Sequence, residues 1–158
     1  MTLEEELGKY LIENKLTIAT AESCTGGLLS SKLTDVSGSS EYVKLNFVTY
    51  ANEAKHKILG VSWDILNNFG AVSEECAEAM AKTAMKNLNT DIGIGITGTT
   101  GNLDPNNADS IQGKAFFCIA IHGDAHIFEI SADVTDMNRH AIKKMYADKV
   151  FEKLSELI

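Results

Sequence analysis

The run from Leu16 to Leu33, L-T-I-A-T-A-E-S-C-T-G-G-L-L-S-S-K-L, constrains this chain more than any other stretch. Leu16 to Ala21 is apolar and β-rich, Glu22, Ser23, Cys24 and Thr25 form a polar elbow, and Gly26 and Gly27 lead into a helical pattern that ends near Thr34. A strand that hands a small hydroxyl to the first turn of a helix sets it beside unpaired backbone N–H groups and the positive end of the helix dipole. Negative charge is favoured at such a place. The same residues also suit a plain structural role, with Ser23 or Thr25 as an N-cap and the glycines allowing close helix-sheet packing.

The rest of the chain repeats this alternation. Leu3, Leu7, Tyr10 and Leu11 recur at helical spacing, so residues 3 to 14 read as an amphipathic helix. Residues 35 to 41 are rich in turn formers, and Tyr42 to Tyr50 reads as a second strand. Asn52 is placed to cap a short helix closed by Gly60, Ser62 one closed by Gly70, and Ser73 a longer one reaching Leu88. Asp91 to Gly98, D-I-G-I-G-I-T-G, reads as a third strand with glycines that admit a helix onto its backbone. Lys114 to Ile121 and Ala125 to Ser131 flank H-G-D as a hairpin, and Asp136 is placed to cap a last helix from Met137 to about Leu157. The order predicts an α/β fold with a doubly wound, mostly parallel sheet and a C-terminal hairpin. With 158 residues, 44% of them hydrophobic, the chain suits one domain spanning 1–158.

Charge and composition narrow the function classes. A net charge of −8 speaks against nucleic-acid binding, so an anionic ligand has to be met locally. The acidic start M-T-L-E-E-E-L does not resemble a secretory signal, and no apolar run approaches a membrane span, which points to a cytoplasmic protein without membrane partners. Cys24, Cys76 and Cys118 are odd in number and widely spaced, as free thiols are. Gly93, Gly95 and Gly98 spell G-x-G-x-x-G, but they fall inside the third strand and no helical pattern follows, so they do not make a dinucleotide site. Residues 99 to 112 form a long polar loop whose Asp104, Asn106, Asn107 and Asp109 lack the glycine and closing glutamate of a calcium loop.

Ligands of doubly wound sheets bind beyond the carboxyl ends of the strands. Here those ends carry Glu22, Ser23, Cys24 and Thr25 after the first strand, Tyr50, Asn52 and Lys55 after the second, and Thr97, Gly98, Thr99 and Thr100 after the third. No His/Asp pair suits a serine triad and no Cys/His cluster suits a metal, which leaves a Ser-Lys arrangement. A desolvated lysine can lose its proton near neutral pH and activate a serine hydroxyl for attack on an amide or ester.

Five ordered motifs, A-E-S-C-T-G-G at 21–27, D-V-S-G-S-S at 35–40, V-T-Y-A-N-E-A-K at 48–55, L-G-V at 59–61 and F-G-A-V-S-E-E at 69–75, resemble the CinA C-terminal domain family. The resemblance covers nearly the whole chain. It implies a three-layer α/β/α fold with a mixed sheet of about five strands, a homo-oligomer, no metal or cofactor, and hydrolysis of nicotinamide mononucleotide to nicotinate mononucleotide and ammonia. It makes Lys55 the activating base and leaves Ser23 and Ser40 both in contention as nucleophile. On geometry Ser23 is favoured, because the helix start beside it could also hold the oxyanion. The resemblance further places Glu22, Thr25, Gly26, Tyr50, Asn52, Thr97 and Gly98 at the ligand, and Arg139 on its phosphate with Lys143 one helical turn on. The loop T-G-T-T-G-N-L-D-P-N-N-A-D-S-I-Q-G-K-A departs from the family's proline-glycine pattern, and a nucleotide-binding or regulatory domain without catalysis is the alternative reading.

Overall fold

The computed structural model describes residues 1–101 and 111–158. Helix α1 (Leu3–Glu13) opens on a capping box in which Thr2 and Glu5 satisfy each other's backbone N–H, and Leu7 and Leu11 form its buried face. Strand β1 (Ile18–Glu22) leads through the elbow to α2 (Leu28–Thr34). A 3-10 turn (Ser39–Glu41) precedes β2 (Val43–Val48), and a single helical turn, α3 (Asn52–Ala54), runs into a π-helical turn at Lys55–Leu59. Then come α4 (Trp63–Phe69), α5 (Glu74–Leu88), β3 (Ile92–Gly98), β4 (Lys114–Ile121), β5 (Asp124–Ser131) and α6 (Arg139–Leu157).

The sheet runs in the order β2-β1-β3-β4-β5. β1 pairs in parallel with both β2 and β3, whereas β4 is antiparallel to β3 and to β5, so β4 alone runs against the others. Two pairings are parallel and two antiparallel while four of the five strands point the same way, the mixed, mostly parallel sheet with a C-terminal hairpin that the sequence predicts. Its two faces are built differently. Ile18, Ile92, Ile94, Ile96, Phe117 and Ile119 pack under α1, α2 and α6, whose Leu11, Leu29, Tyr146, Val150 and Phe151 complete that core. The opposite face is made of small residues, Ala19 and Ala21 in one cluster with Cys76, Met80 and Ala84, and Cys118 and Ala120 in another with Ala77 and Ala81. A Cβ on Gly95 would run into the backbone of Ala77 and Ala81, and one on Gly93 into the Ala81 carbonyl. The glycines of the third strand thus let α5 lie directly on the sheet, as the sequence predicts.

Two caps fall elsewhere than predicted. The last helix is capped by Asn138, whose side chain accepts the Ala141 N–H at 2.9 Å, while Asp133 accepts from Thr135 in a turn before the helix and Asp136 falls two residues short of the cap position. Asn52 lies inside α3 after an extended Ala51, which gives no side-chain cap. Among the described residues no helix is long and apolar enough to cross a membrane.

Candidate active site at the carboxyl edge of the sheet

Three parallel strands end at one edge. Glu22 is level with Val48 and with Ile96, and the ladder runs one step further, with Thr49 N–H donating to Glu22 O at 2.9 Å and Ser23 N–H to Ile96 O at 3.1 Å. Thr49, Ser23 and Thr97 therefore stand abreast on adjacent strands. Side chains alternate along a strand, and the residues two earlier, Phe47, Ala21 and Gly95, all face α4 or α5. The three hydroxyls form a row on that side.

Lys55 reaches this row from the π turn. Its carbonyl accepts from Gly60 N–H at 3.0 Å and Val61 N–H at 2.9 Å, and Gly60 closes the turn at φ +96°, a conformation that favours glycine. The widened turn turns the Lys55 side chain inward, where it is 1% exposed. Its Nζ donates to Ser23 Oγ at 3.1 Å and to the Tyr50 carbonyl at 3.0 Å. Ser23 itself is 7% exposed. Cys76 on α5 is close enough to feel the amine: burial pushes its thiol up to about 11, with Lys55 pulling the other way. The next residue, His56, sets Nδ1 2.8 Å from the Val61 carbonyl and stacks its ring on Trp63. A carbonyl only accepts, so that nitrogen carries the proton.

Of the two candidate serines, only Ser23 meets Lys55. Ser40 sits exposed on the 3-10 turn before β2, and its carbonyl takes the Lys44 ammonium. β2 lies between it and the loop that carries Lys55, which places Ser40 at the amino edge of the sheet and removes it from the site.

The elbow is held by Glu22. This fully buried carboxylate accepts from Thr25 Oγ1 at 2.6 Å, Leu29 N–H at 2.8 Å, and Ser30 N–H and Oγ at 2.9 and 2.5 Å. The first-turn amides of α2 are thus engaged by Glu22, which corrects the expectation that they face an oxyanion at Ser23. Glu22 and the Thr25 hydroxyl act on the shape of the elbow. Cys24 is buried beside them, and burial followed by the charge of Glu22 pushes its thiol up to about 12, so it stays protonated and is no nucleophile.

Farther out lies a basic rim. Tyr50 is 64% exposed, and its hydroxyl is 3.5 Å from a guanidinium nitrogen of Arg139. The Arg139 side chain also lies against Gly101, and Lys143 spans the elbow so closely that a Cβ on Gly26 would be 3.3 Å from its Nζ. Arg139 opens α6, where the helix dipole disfavours a cation. The remaining predicted residues support the edge: Thr97 Oγ1 donates to the Ala71 carbonyl at 2.7 Å, Gly98 packs against Ala115 of β4, and Asn52 is half-buried in α3. Among the described residues no three His, Cys, Asp or Glu side chains gather as metal ligands. Asp104, Asn106, Asn107 and Asp109 lie outside the described residues. Sequence reasoning missed Thr49, which stood unremarked in the second strand.

The same arrangement of strand, elbow and helices recurs in known proteins. The model of the CinA C-terminal domain matches residues 1–158. A putative competence-damage inducible protein of Clostridium perfringens strain SM101 is 55% identical over 101 residues, covering 64% of this chain and 24% of that protein. The chain thus spans about a quarter of the length of such relatives. The protein MG115 homolog of Mycoplasma pneumoniae is 37% identical over 156 residues, 96% of this chain and 94% of its own. The crystal structure of a competence-damaged protein (CinA) superfamily protein from Escherichia coli superposes with a TM-score of 0.92 at 30% identity, covering 99% of this chain and 88% of that one. That of the competence/damage inducible protein CihA from Agrobacterium tumefaciens does so with a TM-score of 0.86 at 32% identity, covering 99% and 96%. By the family model and by relatives matched along its whole length, the chain belongs to the CinA C-terminal domain family.

Proposed function

We propose that this chain is a Ser-Lys amidohydrolase that converts nicotinamide mononucleotide to nicotinate mononucleotide and ammonia. The observation that carries this reading is the 3.1 Å contact between Lys55 Nζ and Ser23 Oγ, with both residues buried. A serine hydroxyl is a weak nucleophile until a base takes its proton, and a lysine shut away from water is suited to that task. As Lys55 accepts the Ser23 proton, Ser23 Oγ bonds to the carboxamide carbon. The oxyanion that forms lies beside the new Lys55 ammonium. Lys55 then returns the proton to the departing nitrogen, the C–N bond breaks, and ammonia leaves an acyl-serine. Water attacks that ester, gives its proton to Lys55, and the C–O bond breaks to free the carboxylate and restore Ser23.

The rim supports an anionic substrate. Arg139 and Lys143 flank the elbow, and an anion beside them offsets the unfavourable place of Arg139 at a helix start. Tyr50 holds Lys55 through its carbonyl and lies next to Arg139 through its hydroxyl, so it spans the distance between the reacting amide and the phosphate. Incubation with a small panel of pyridine nucleotides and their free bases, read as ammonia release, tests the reading. Turnover of the mononucleotide is expected, and it should vanish in Ser23→Ala and Lys55→Ala with folding kept, as judged by circular dichroism. A wild-type chain that binds the mononucleotide, seen as thermal stabilisation, yet releases no ammonia would overturn catalysis in favour of a binding domain.

A further inference from the structure

Among the described residues, two buried side-chain polar atoms have no hydrogen-bond partner: the hydroxyls of Tyr42 and Thr49. A buried hydroxyl left unpaired is costly, so each such group calls for an explanation. Tyr42 lies in the core before β2 with its hydroxyl beside Gly8 of α1, remote from the carboxyl edge. Thr49 is 2% exposed and stands level with Ser23 on the adjacent strand, on the same face of the sheet. Other donors around Ser23 are committed. Thr97 Oγ1, at the far end of the row, donates to the Ala71 carbonyl, and Thr25 Oγ1 and the Leu29 and Ser30 N–H groups donate to Glu22. Of the three hydroxyls abreast, one is placed to attack, one is spent on the backbone, and Thr49 keeps a proton that no described residue accepts.

We propose that Thr49 is a catalytic residue whose hydroxyl donates a hydrogen bond to the carbonyl oxygen of the scissile carboxamide and stabilises the oxyanion formed when Ser23 attacks. This assignment rests on the Ser-Lys reading above and asks nothing more of Lys55 than its part as base. When Ser23 Oγ bonds to the carboxamide carbon, the electron pair of the C=O π bond moves onto the oxygen, which then sits one bond from a carbon that Ser23 holds. A donor serves that oxygen from about 2.7–3.1 Å. A hydroxyl on the next strand, about 4.8 Å across, leaves room for the oxygen between itself and Ser23. The first-turn amides of α2, the usual donors at such an elbow, face Glu22 instead, so the donor has to come from the neighbouring strand. The hydrogen bond meets a neutral carbonyl at first and strengthens as charge develops, the more so because Thr49 is shut away from water. Stabilisation that grows toward the transition state raises the rate. An unpaired hydroxyl in the resting chain is then a donor set in place beforehand, with nothing to reorganise when the charge appears.

The test compares Thr49→Val, which keeps the shape and removes the oxygen, with Thr49→Ser, which keeps the oxygen, and with Thr49→Ala as a second variant lacking it. Tyr42→Phe serves as a control that removes the other unpaired hydroxyl. Each chain is assayed for ammonia release from nicotinamide mononucleotide, for thermal melting, and for binding of the boronic acid analogue of nicotinamide, in which a B(OH)2 group replaces the carboxamide. Boron takes the Ser23 oxygen while the Ser23 proton passes to Lys55, which leaves a tetrahedral boronate anion that boron NMR detects. In Thr49→Val and Thr49→Ala, kcat should fall about a hundredfold, the loss of one oxyanion donor, with KM little changed. The boronate should bind about tenfold more weakly, the value of one hydrogen bond to a charged group. Thr49→Val should melt no lower than wild type, because a methyl group replaces a buried hydroxyl that had no partner. Thr49→Ser should return kcat and boronate affinity toward wild type, and Tyr42→Phe should move neither. Unchanged kcat and boronate affinity in the valine and alanine chains overturn the assignment and leave the Ser-Lys reading standing. So does a valine chain that loses activity only as it loses stability, since the hydroxyl would then serve the fold. Serine behaving like valine overturns it as well, because the methyl group and not the oxygen would then be responsible. A boronate adduct that depends on Thr49 in a chain that hydrolyses none of the amides sustains the donor and sinks the amidohydrolase reading alone, and a wild-type chain that gives neither adduct nor ammonia takes down both.

Discussion

Four donors converge on the two oxygens of Glu22, two of them backbone N–H groups of α2 and two of them hydroxyls. A carboxylate offers about four acceptor sites, so nothing on it is left over for a ligand. Ser30 continues the chain of polar contacts to Thr20, 3.2 Å away, and Thr20 donates to Asn46 on β2 at 2.6 Å. The elbow is thus pinned from the helix side while Ser23 points to the other side of the sheet. Glu22→Gln keeps the size but sets an NH2 group among N–H and O–H donors, leaving at least one buried donor unpaired. It should cost about 2–3 kcal/mol of stability and lower ammonia release by displacing Ser23. Thermal melts beside the amide assay check this. An unchanged melting temperature with reduced turnover would mean that Glu22 touches the ligand after all.

At the level of elements, the sheet has one bulky face and one small face, and the small one brings α5 close to the row of hydroxyls. Gly95→Ala tests this. The added methyl meets the backbone of Ala77 and Ala81, which no rotamer change can relieve. Overpacking of this sort costs about 1–3 kcal/mol, and because Gly95 lies two residues before Thr97 the shift should reach the active edge. Urea denaturation measures the first effect and KM the second. The alternating I-G-I-G-I run at 92–96 made this face readable from sequence, as did the apolar spacing of α1, the Ser62 and Ser73 caps, and the hairpin about H-G-D. The π turn was not readable, since the stretch from Asn52 to Leu59 has the spacing of an ordinary short helix and only the tertiary demand on Lys55 widens it. Nor was the last cap, where Asp133, Thr135, Asp136 and Asn138 are all competent and Asn138 takes the position. The Ser40 question was decidable in principle: a residue before β2 and a residue after it cannot share an edge of a parallel sheet. Thr49 was reachable by the same counting, because equal steps beyond paired strands put residues 49, 23 and 97 abreast.

On the scale of the whole molecule, a chain of net charge −8 should repel an anionic substrate, and screening over about 8 Å at physiological salt confines that repulsion to the near field. The carboxyl edge answers it with cations placed locally: Arg139 and Lys143 on α6 stand over the outer side of the elbow, and Lys55 stands beneath it. The two sets have different work on the proposed reading, since the rim meets charge that is present before and after reaction, whereas Lys55 meets charge that appears during it. Uniform binding alters KM and leaves kcat unchanged. Arg139→Gln should therefore raise KM for a phosphorylated amide about tenfold, the value of one charge-assisted hydrogen bond, with kcat nearly unaffected. It should also flatten the rise of KM with added salt, because the contact that salt screens is gone. The matching amide without phosphate, assayed in the same way, should show the same KM in both proteins. Steady-state kinetics on the two substrates at low and high salt decide the matter: equal losses on both would place Arg139 in the packing of α6 against Tyr50, and a loss confined to the phosphorylated substrate would place it on the anion.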